Sequence, residues 1–338
     1  QLENVELNWS ENPSALSNIP ISGNWFASSK LDFNVRAKLI GISFKGANPS
    51  IPSVSNLSGN IAGDQKQGSF TINSKNLGFE LNDLLSSPNI ALDIAKGEVN
   101  WTKQKGGWLI VANNMALSNS EIDTHFNLSY LIGAPKQADQ MTLDMDFAKA
   151  KLATAHRYLP ISMDKDSRQY LSKAFESGDI QNGSLHIKGN PDDVPFSAGK
   201  VGEFSLKLPF TKASFKPAPL LPARQGVWST FNNVNGTISM KQSTLNVDID
   251  SANYKKVMLS NVASQIPNLS AKNLTLSIHG LVSGEGSEIM EYVAASPAGI
   301  RNPNLVKKLS VNGPLNLDLG LTIPLSGEAE TKVDAKLT

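Results

Sequence analysis

The chain has 338 residues and a net charge of +1, from 31 basic and 30 acidic side chains, and it contains no cysteine. The charge balance excludes a typical nucleic-acid binder, which needs clustered lysine and arginine. The absence of cysteine excludes disulfides, cysteine-ligated zinc and thiol chemistry, and no apolar run is long enough for a membrane-spanning helix. Because the chain starts at Gln1 without a visible signal peptide, we expect it to be a piece of a longer protein.

Alternation of apolar and polar residues dominates the first 148 residues and predicts β-strands with one apolar and one wet face. Parallel strands covered by helices would give continuous apolar runs instead, so the sheet is expected to be antiparallel. Gly- and Asn-rich stretches at 56–59 and 105–107 are interpreted as breaks between strands. The apolar positions predicted to line the inward face are Leu31, Phe33, Val35, Leu39, Leu92, Ile94, Phe126, Leu128, Leu143 and Met145.

Helix is predicted at only three places. A first helix is expected at 149–158, ending before Pro160 because proline disfavours helical geometry in the residue that precedes it. A second is expected at 165–177, with Gly178 as its C-terminal cap. A third, shorter helix is expected at 287–295.

The alternation returns after the helical insert and continues to the end of the chain, with a further break predicted at 232–236. The inward positions predicted here are Leu206, Leu208, Val247, Ile249, Leu276, Ile278, Leu317 and Leu319. We therefore expect a sheet segment at 1–148, a helical insert at 149–178, and a segment at 179–338 that continues the same sheet.

The large apolar face of such a sheet must be covered. A second sheet would give a sandwich, closure would give a barrel, and a curled sheet filled by lipid chains would give a trough. Alternation alone does not distinguish these arrangements. Long strands, few helices and a mixed set of Leu, Ile, Phe, Val and Met at the inward positions favour the trough.

Motifs for catalysis or metal binding are weak. The four histidines have no metal-ligand spacing. The pairs Asp144/Asp146 and Asp248/Asp250 fall on the predicted wet face, where polar residues are required in any case. Gly284-Glu285-Gly286 lacks the third glycine of a dinucleotide fingerprint, and no nucleophile elbow is present. We expect no enzyme activity and no cofactor; an envelope-glycan enzyme would need an acid/base pair buried in a cleft.

One order of motifs resembles a known family. Residues 157–160 read Arg-Tyr-Leu-Pro, and a helix and Gly178 follow. Residues 183–189 read Gly-Ser-Leu-His-Ile-Lys-Gly, and Val194-Pro195-Phe196 comes next. This order resembles the YhdP branch of the AsmA-like superfamily, and the resemblance covers about residues 150 to 330.

The resemblance implies an all-β protein whose long, mostly antiparallel, curled sheet forms an apolar groove with a few short helices. It implies a periplasmic bridge, anchored in the inner membrane by a part outside this chain, that carries phospholipid or another acyl-chain lipid between the inner and outer membranes. The alternative hypothesis is a non-catalytic structural or interaction module of the cell envelope, built as a closed β-sandwich array.

Overall fold

A computed structural model describes residues 2–11, 31–46, 52–105, 107–197, 199–301, 303–304, 311–326 and 330–337. In this part of the chain sixteen strands are hydrogen-bonded in the order in which they occur in the sequence. Consecutive strands run antiparallel wherever their register is defined, for example β4 with β5 and β14 with β15. The expected all-β antiparallel sheet with a few short helices is confirmed.

The strands are long, and most have ten to sixteen residues. The first eight are β1 Leu2–Glu11, β2 Leu31–Phe44, β3 Ser53–Asp64, β4 Gln67–Glu80, β5 Asn89–Gln104, β6 Gly107–Ser118, β7 Ile122–Gly133 and β8 Gln140–Lys151. The others are β9 Phe175–Gly189, β10 Gly202–Phe215, β11 Phe231–Lys241, β12 Thr244–Tyr254, β13 Val257–Ile266, β14 Thr275–Glu285, β15 Pro314–Pro324 and β16 Lys332–Leu337.

Four α-helices interrupt the strands in the described residues: α1 Leu152–Ala155, α2 Lys165–Ala174, α3 Gly286–Ala295 and α4 Pro297–Arg301. The helix predicted at 149–158 begins three residues later, because strand β8 continues to Lys151. A short 3₁₀ turn at His156–Tyr158 follows α1. The Asp164 carboxylate caps α2 by accepting a hydrogen bond from the Ser167 N–H at 2.8 Å.

The predicted cap at Gly178 is wrong. Helix α2 ends at Ala174, and Gly178 lies inside β9 with φ of 132°. A Cβ atom at Gly178 would come within 2.9 Å of both Leu152 and Ala213. Glycine is therefore required at this position by close packing within the sheet and not by the end of a helix.

The fold divides into two compact units. The first unit comprises Gln1–Asp146, Pro160–Ser162 and His186–Asp192, and the second comprises the remaining residues. The division predicted from the sequence at residues 148 and 178 stays a prediction.

Mostly apolar side chains of neighbouring strands are aligned across each unit, with Ser264 as a polar member of the row in the second unit. In the first unit, the Cα partners that follow one another from β2 to β7 are Ala37, Ile61, Phe70, Val99, Ala112 and Leu128. In the second unit, the partners from β10 to β15 are Leu208, Ile238, Val247, Ser264, Ile278 and Leu321. Cross-strand pairs of this kind are the contacts that stabilise a sheet.

A recurring irregularity changes the face of many strands near their middle. In β4, Ser74 and Leu77 are both buried, and the two residues between them, Lys75 and Asn76, are both exposed. Asn76 has φ of 54°, in the left-handed region that asparagine tolerates better than most residues. The result is a bulge after which the apolar face falls on odd instead of even positions.

The same irregularity recurs with a common sequence pattern of an apolar or small residue, any residue, asparagine, and again an apolar or small residue. The asparagines with positive φ inside strands are Asn56, Asn76, Asn114, Asn182, Asn233 and Asn261. Lys212 occupies the equivalent position of β10, between buried Phe210 and Ala213. The breaks predicted at 56–59 and 232–236 are therefore wrong, because these stretches are bulges inside β3 and β11.

Side chains of the neighbouring strand satisfy backbone groups at these bulges. The Asn56 side-chain amide donates to the Lys75 carbonyl at 2.8 Å, and the Asn114 N–H donates to the Asn127 side-chain oxygen at 2.8 Å. In the second unit the Lys212 N–H donates to the Asn235 side-chain oxygen at 3.0 Å. These bonds compensate for the ladder hydrogen bonds that a bulge interrupts.

The bulges predict a specific order of stability. Asn56→Val places a β-branched residue at φ of 61° and removes the amide, so we expect it to lower the free energy of unfolding by about 3 kcal/mol. Asn56→Gly removes only the amide and should cost about 1 kcal/mol. Chemical denaturation measures both. The control Asn60→Val changes an exposed residue of the same strand outside the positive-φ positions; a control as destabilised as Asn56→Val would contradict the prediction.

Candidate functional site

The candidate site is the apolar face of the sheet. Fourteen of the predicted inward residues are half-buried: Val35, Leu39, Phe126, Leu128, Leu143, Met145, Leu206, Leu208, Val247, Ile249, Leu276, Ile278, Leu317 and Leu319. Leu92 is buried, with 3% of its surface exposed. The side chains of Leu31 and Phe33 lie outside the described residues. The charged neighbours Asp144, Asp146 and Lys207 are exposed, as the alternation requires.

Ile94 departs from the predicted pattern. The alternation predicted Ile94 on the same inward face as Leu92. Instead, 40% of the Ile94 surface is exposed, and Ala95 is completely buried. Asp93 and Ile94 are both exposed between buried Leu92 and Ala95 of β5. The buried positions change from even to odd numbers here, and this change of face, not the residue type, explains the exposure of Ile94.

The cross-strand register brings several predicted residues together and adds others that the alternation did not single out. Leu128 is aligned with Ala112, and Val247 is aligned with Ile238, which is itself aligned with Leu208. The added apolar residues are Ile61, Phe70, Val99 and Ile238. Gly, Ser and Asn surround them in the sequence, which weakens the alternation that reveals a strand.

Helix α3 covers the apolar face at one end of the second unit. The ring of Tyr292 lies 4.9 Å from that of Tyr254 and 5.2 Å from that of Phe231, measured between centroids. Trp228 completes the cluster at 5.8 Å from Tyr292. Burial raises the pKa of the Tyr292 hydroxyl above its ordinary value, so Tyr292 stays neutral. Outside this cluster, Lys255 forms an exposed ion pair with Glu291 at 2.6 Å.

Helix α2 packs at the same end of the strands of the second unit. The Tyr170 hydroxyl donates to the Pro217 carbonyl at 3.1 Å, and burial raises the pKa of Tyr170 to about 12. The Lys216 N–H donates to the carbonyl of Ala174 at 2.8 Å. The neighbouring residues Phe175 and Phe215 are in contact, with their ring centroids 5.3 Å apart. In the second unit, helices α2 and α3 thus cover the part of the apolar face that lies between the bulges and this end of the strands.

The apolar side chains on the other side of the bulges, such as Phe70 and Val99, are only half-buried. Among the described residues, Leu77 is the only large apolar side chain with less than 2% of its surface exposed. A closed sandwich of this size would bury many Leu, Ile and Phe side chains completely. The half-buried rows of both units therefore form an apolar surface with room for contact with other molecules.

Groups suited to catalysis are absent from this surface in the part of the chain that the structure describes. His186 lies 2.7 Å from Asp144, and His279 lies 2.8 Å from Asp318, as partly exposed pairs on the wet face. No group of three or more potential metal-ligating side chains occurs among the described residues. The Asp-x-Asp carboxylates are all exposed, as predicted. At Gly286 a Cβ would meet Val311 at 2.6 Å, so tight packing accounts for the glycine.

A second surface feature lies in the second unit. An open cleft of about 510 Å³ runs along β12 to β16, with Asn246, Gln265, His279, Lys332 and Asp334 among its lining residues. Its lining is rich in polar and charged side chains, which are poor partners for hydrocarbon. Ile278 and Leu321 of the apolar row also belong to its lining, between these polar residues in the strands.

The family model described as YhdP protein matches residues 1–338. The chain belongs to the YhdP family. A curated relative, the intermembrane phospholipid transporter YhdP of Escherichia coli strain K12, is 25% identical over 284 residues. This alignment covers 83% of the chain and 21% of the relative, so the chain spans about a fifth of that protein's length.

The YhdP match confirms the resemblance found in the sequence motifs, and it extends from those motifs to the whole chain. No solved structure matches the chain. Among the described residues, no helix is both long and apolar enough to cross a membrane.

The aromatic cluster under α3 predicts the effect of two substitutions. Tyr292→Ala removes the ring that contacts Trp228, Phe231 and Tyr254, so we expect a loss of about 3 kcal/mol in the free energy of unfolding. Tyr292→Phe should cost less than about 1 kcal/mol, because the hydroxyl makes only a 3.4 Å contact with the Ser229 carbonyl. Thermal melts followed by circular dichroism test this order, and equal losses for both variants would contradict it.

Proposed function

We propose that the chain is a segment of a periplasmic phospholipid transporter and that its apolar sheet face solvates acyl chains. The observation that carries the proposal is the half-buried state of the apolar rows, which include Leu128 in the first unit and Ile278 in the second. A surface of this kind is unstable in water unless another apolar body covers it. The name of the Escherichia coli relative supports phospholipid as that body.

The energetics suit a passive conduit. Each methylene kept out of water is worth about 0.8 kcal/mol, so a two-chain lipid strongly prefers an apolar surface to the aqueous periplasm. Apolar pairs recur from strand to strand, for example Ile238 with Val247 and Leu245 with Ile266. A lipid that moves along such rows exchanges one apolar contact for another, and its free energy changes little. No cofactor is needed for this movement.

The family supports a proposal for the location and the partners of the transporter. We infer that parts of the full-length protein outside this chain reach the inner and outer membranes, because the chain spans only 21% of the relative. In this proposal the inner-membrane anchor lies in one of those parts. The chain itself contributes apolar surface along the periplasmic path and performs no chemistry.

Charged substitutions on the apolar rows distinguish the conduit from a closed structural module. Leu128→Asp and Leu276→Asp should leave the chain folded, because a half-exposed carboxylate stays hydrated and no closed core is disrupted. Each carboxylate should nevertheless stop acyl chains from passing, because a charge that faces hydrocarbon is costly by several kcal/mol. In a closed sandwich the same change would bury an unpaired charge and unfold the unit.

Circular dichroism melts of the purified variants measure folding, and growth of a strain that depends on the full-length protein measures transport. The matched control is Ser277→Asp, which adds the same charge at the adjacent exposed position. Mass spectrometry of solvent-extracted wild-type chain should detect phospholipid. The conduit hypothesis would be overturned if the folded Leu128→Asp and Leu276→Asp variants supported full growth. It would also be overturned if these variants failed to fold.

A further inference from the structure

One edge of the sheet in the first unit is rich in lysine. The turns β3–β4, β5–β6 and β7–β8 lie at this edge, because alternate turns of an antiparallel meander share an edge. These turns carry four lysines and only two aspartates. The lysines are Lys66, Lys103, Lys105 and Lys136, in the ranges 64–67, 102–107 and 133–140. We name this set of turns the lysine edge.

The opposite edge of the same unit has the reverse charge. Its described residues near the turns β2–β3, β4–β5 and β6–β7 carry one lysine, Lys45, against four acidic residues, Glu80, Asp83, Glu121 and Asp123. The balanced charge of the whole chain therefore conceals a separation of charge across the first unit. An anion near this unit is attracted to the lysine edge.

The two aspartates of the lysine edge are engaged within their own turns. Asp64 accepts hydrogen bonds from the N–H groups of Lys66 at 2.6 Å and Gln67 at 2.9 Å. Asp139 accepts from the Tyr130 hydroxyl at 2.6 Å and from the Gly133 N–H at 2.9 Å. The hydrogen bond from Tyr130 lowers the pKa of Asp139, so Asp139 remains a carboxylate.

The lysines of this edge are available to an external anion. All four are exposed, and none of their ammonium groups forms an ion pair within the described residues. Lys103 lies with its ammonium 5.9 Å from the centroid of the Trp108 ring. Its cross-strand partner is Trp108, so this lysine is at the level of the aromatic side chains of the edge.

Aromatic residues lie between the lysine edge and the apolar row of the first unit. Trp101 is aligned with Ile110, which is aligned with Tyr130. Trp108 lies two residues closer than Ile110 to the β5–β6 turn, on the same face. The Trp101 ring covers the backbone of Gly68, where a Cβ atom would clash with it. Tryptophan and tyrosine favour boundaries where one side is apolar and the other is wet.

We propose that the lysine edge binds the phosphate of a phospholipid headgroup, with Trp101, Trp108 and Tyr130 at the glycerol-ester level and the acyl chains on the adjacent apolar row. The inference rests on the proposed function and deepens it, because it assigns the headgroup to one edge. The order from apolar row to aromatic residues to lysines matches the order of chains, esters and phosphate in such a lipid.

Binding of two radiolabelled lipids tests the assignment. The probes are dioleoylphosphatidylglycerol, which has a phosphate, and dioleoylglycerol, which has none. The variant Lys66→Gln/Lys103→Gln/Lys136→Gln should bind dioleoylphosphatidylglycerol about tenfold more weakly than the wild-type chain at low salt. Its binding of dioleoylglycerol should be unchanged, and the tenfold difference should shrink at about 0.5 M NaCl because salt screens exposed charges.

The control variant Lys45→Gln/Lys75→Gln/Lys96→Gln removes three exposed lysines from the same unit away from the lysine edge. It should bind both lipids like the wild-type chain. Equal loss in the control, or full phosphatidylglycerol binding by the first variant, would overturn the headgroup assignment and leave the proposed function intact. Failure of the wild-type chain to bind either lipid would overturn the proposed function itself.

Fluorescence quenching tests the position of the headgroup independently of charge. A variant with Trp9, Trp25 and Trp228 replaced by phenylalanine retains Trp101 and Trp108 as its only tryptophans. A phospholipid brominated at acyl carbons 6 and 7 should quench these two residues more strongly than one brominated at carbons 11 and 12. Stronger quenching by the deeper bromines would place the chain ends at the lysine edge and overturn the assignment.

Discussion

The bulges near the middle of the strands are the constraint on which the rest of the structure depends. Each one must hold a residue at positive φ and must satisfy the backbone groups that lose their ladder partners. Asparagine meets the first requirement, and side chains such as Asn127 and Asn235 on the next strand meet the second. Each bulge depends on side chains of the neighbouring strand. The apolar face therefore switches between even and odd positions at the same level in adjacent strands, and the cross-strand rows stay in register.

The alternation of the sequence predicted the class of fold and most of the apolar positions, because the period of two is a direct consequence of strand geometry. It did not predict the bulges, since a stretch such as Asn232-Asn233-Val234 is equally typical of a turn. Ile94 shows the consequence, because the change of face beside it carries no asparagine and gives no local signal. The recurring pattern of apolar residue, any residue, asparagine and apolar residue was the signal that could have revealed the bulges.

Tertiary contacts set the helix ends and the charge arrangement, which local sequence does not encode. Helix α2 ends at Ala174 because Phe175 is needed against Phe215, across a gap of forty residues in the chain. The lysine edge is invisible in the net charge of +1 and emerges only when the strand order brings alternate turns together. A family resemblance supplied the lipid hypothesis, since an apolar row of side chains looks the same in a core and in a conduit.

The strand order has a consequence for folding and for evolution. Every described strand is hydrogen-bonded to strands adjacent in sequence, so most pairings form between residues that are close along the chain. Local pairing keeps the loop-closure entropy small and allows folding to start in any hairpin and spread to its neighbours. A hairpin added or lost within such a meander changes the length of the sheet without changing how the other strands pair, so proteins of this kind can be lengthened one hairpin at a time.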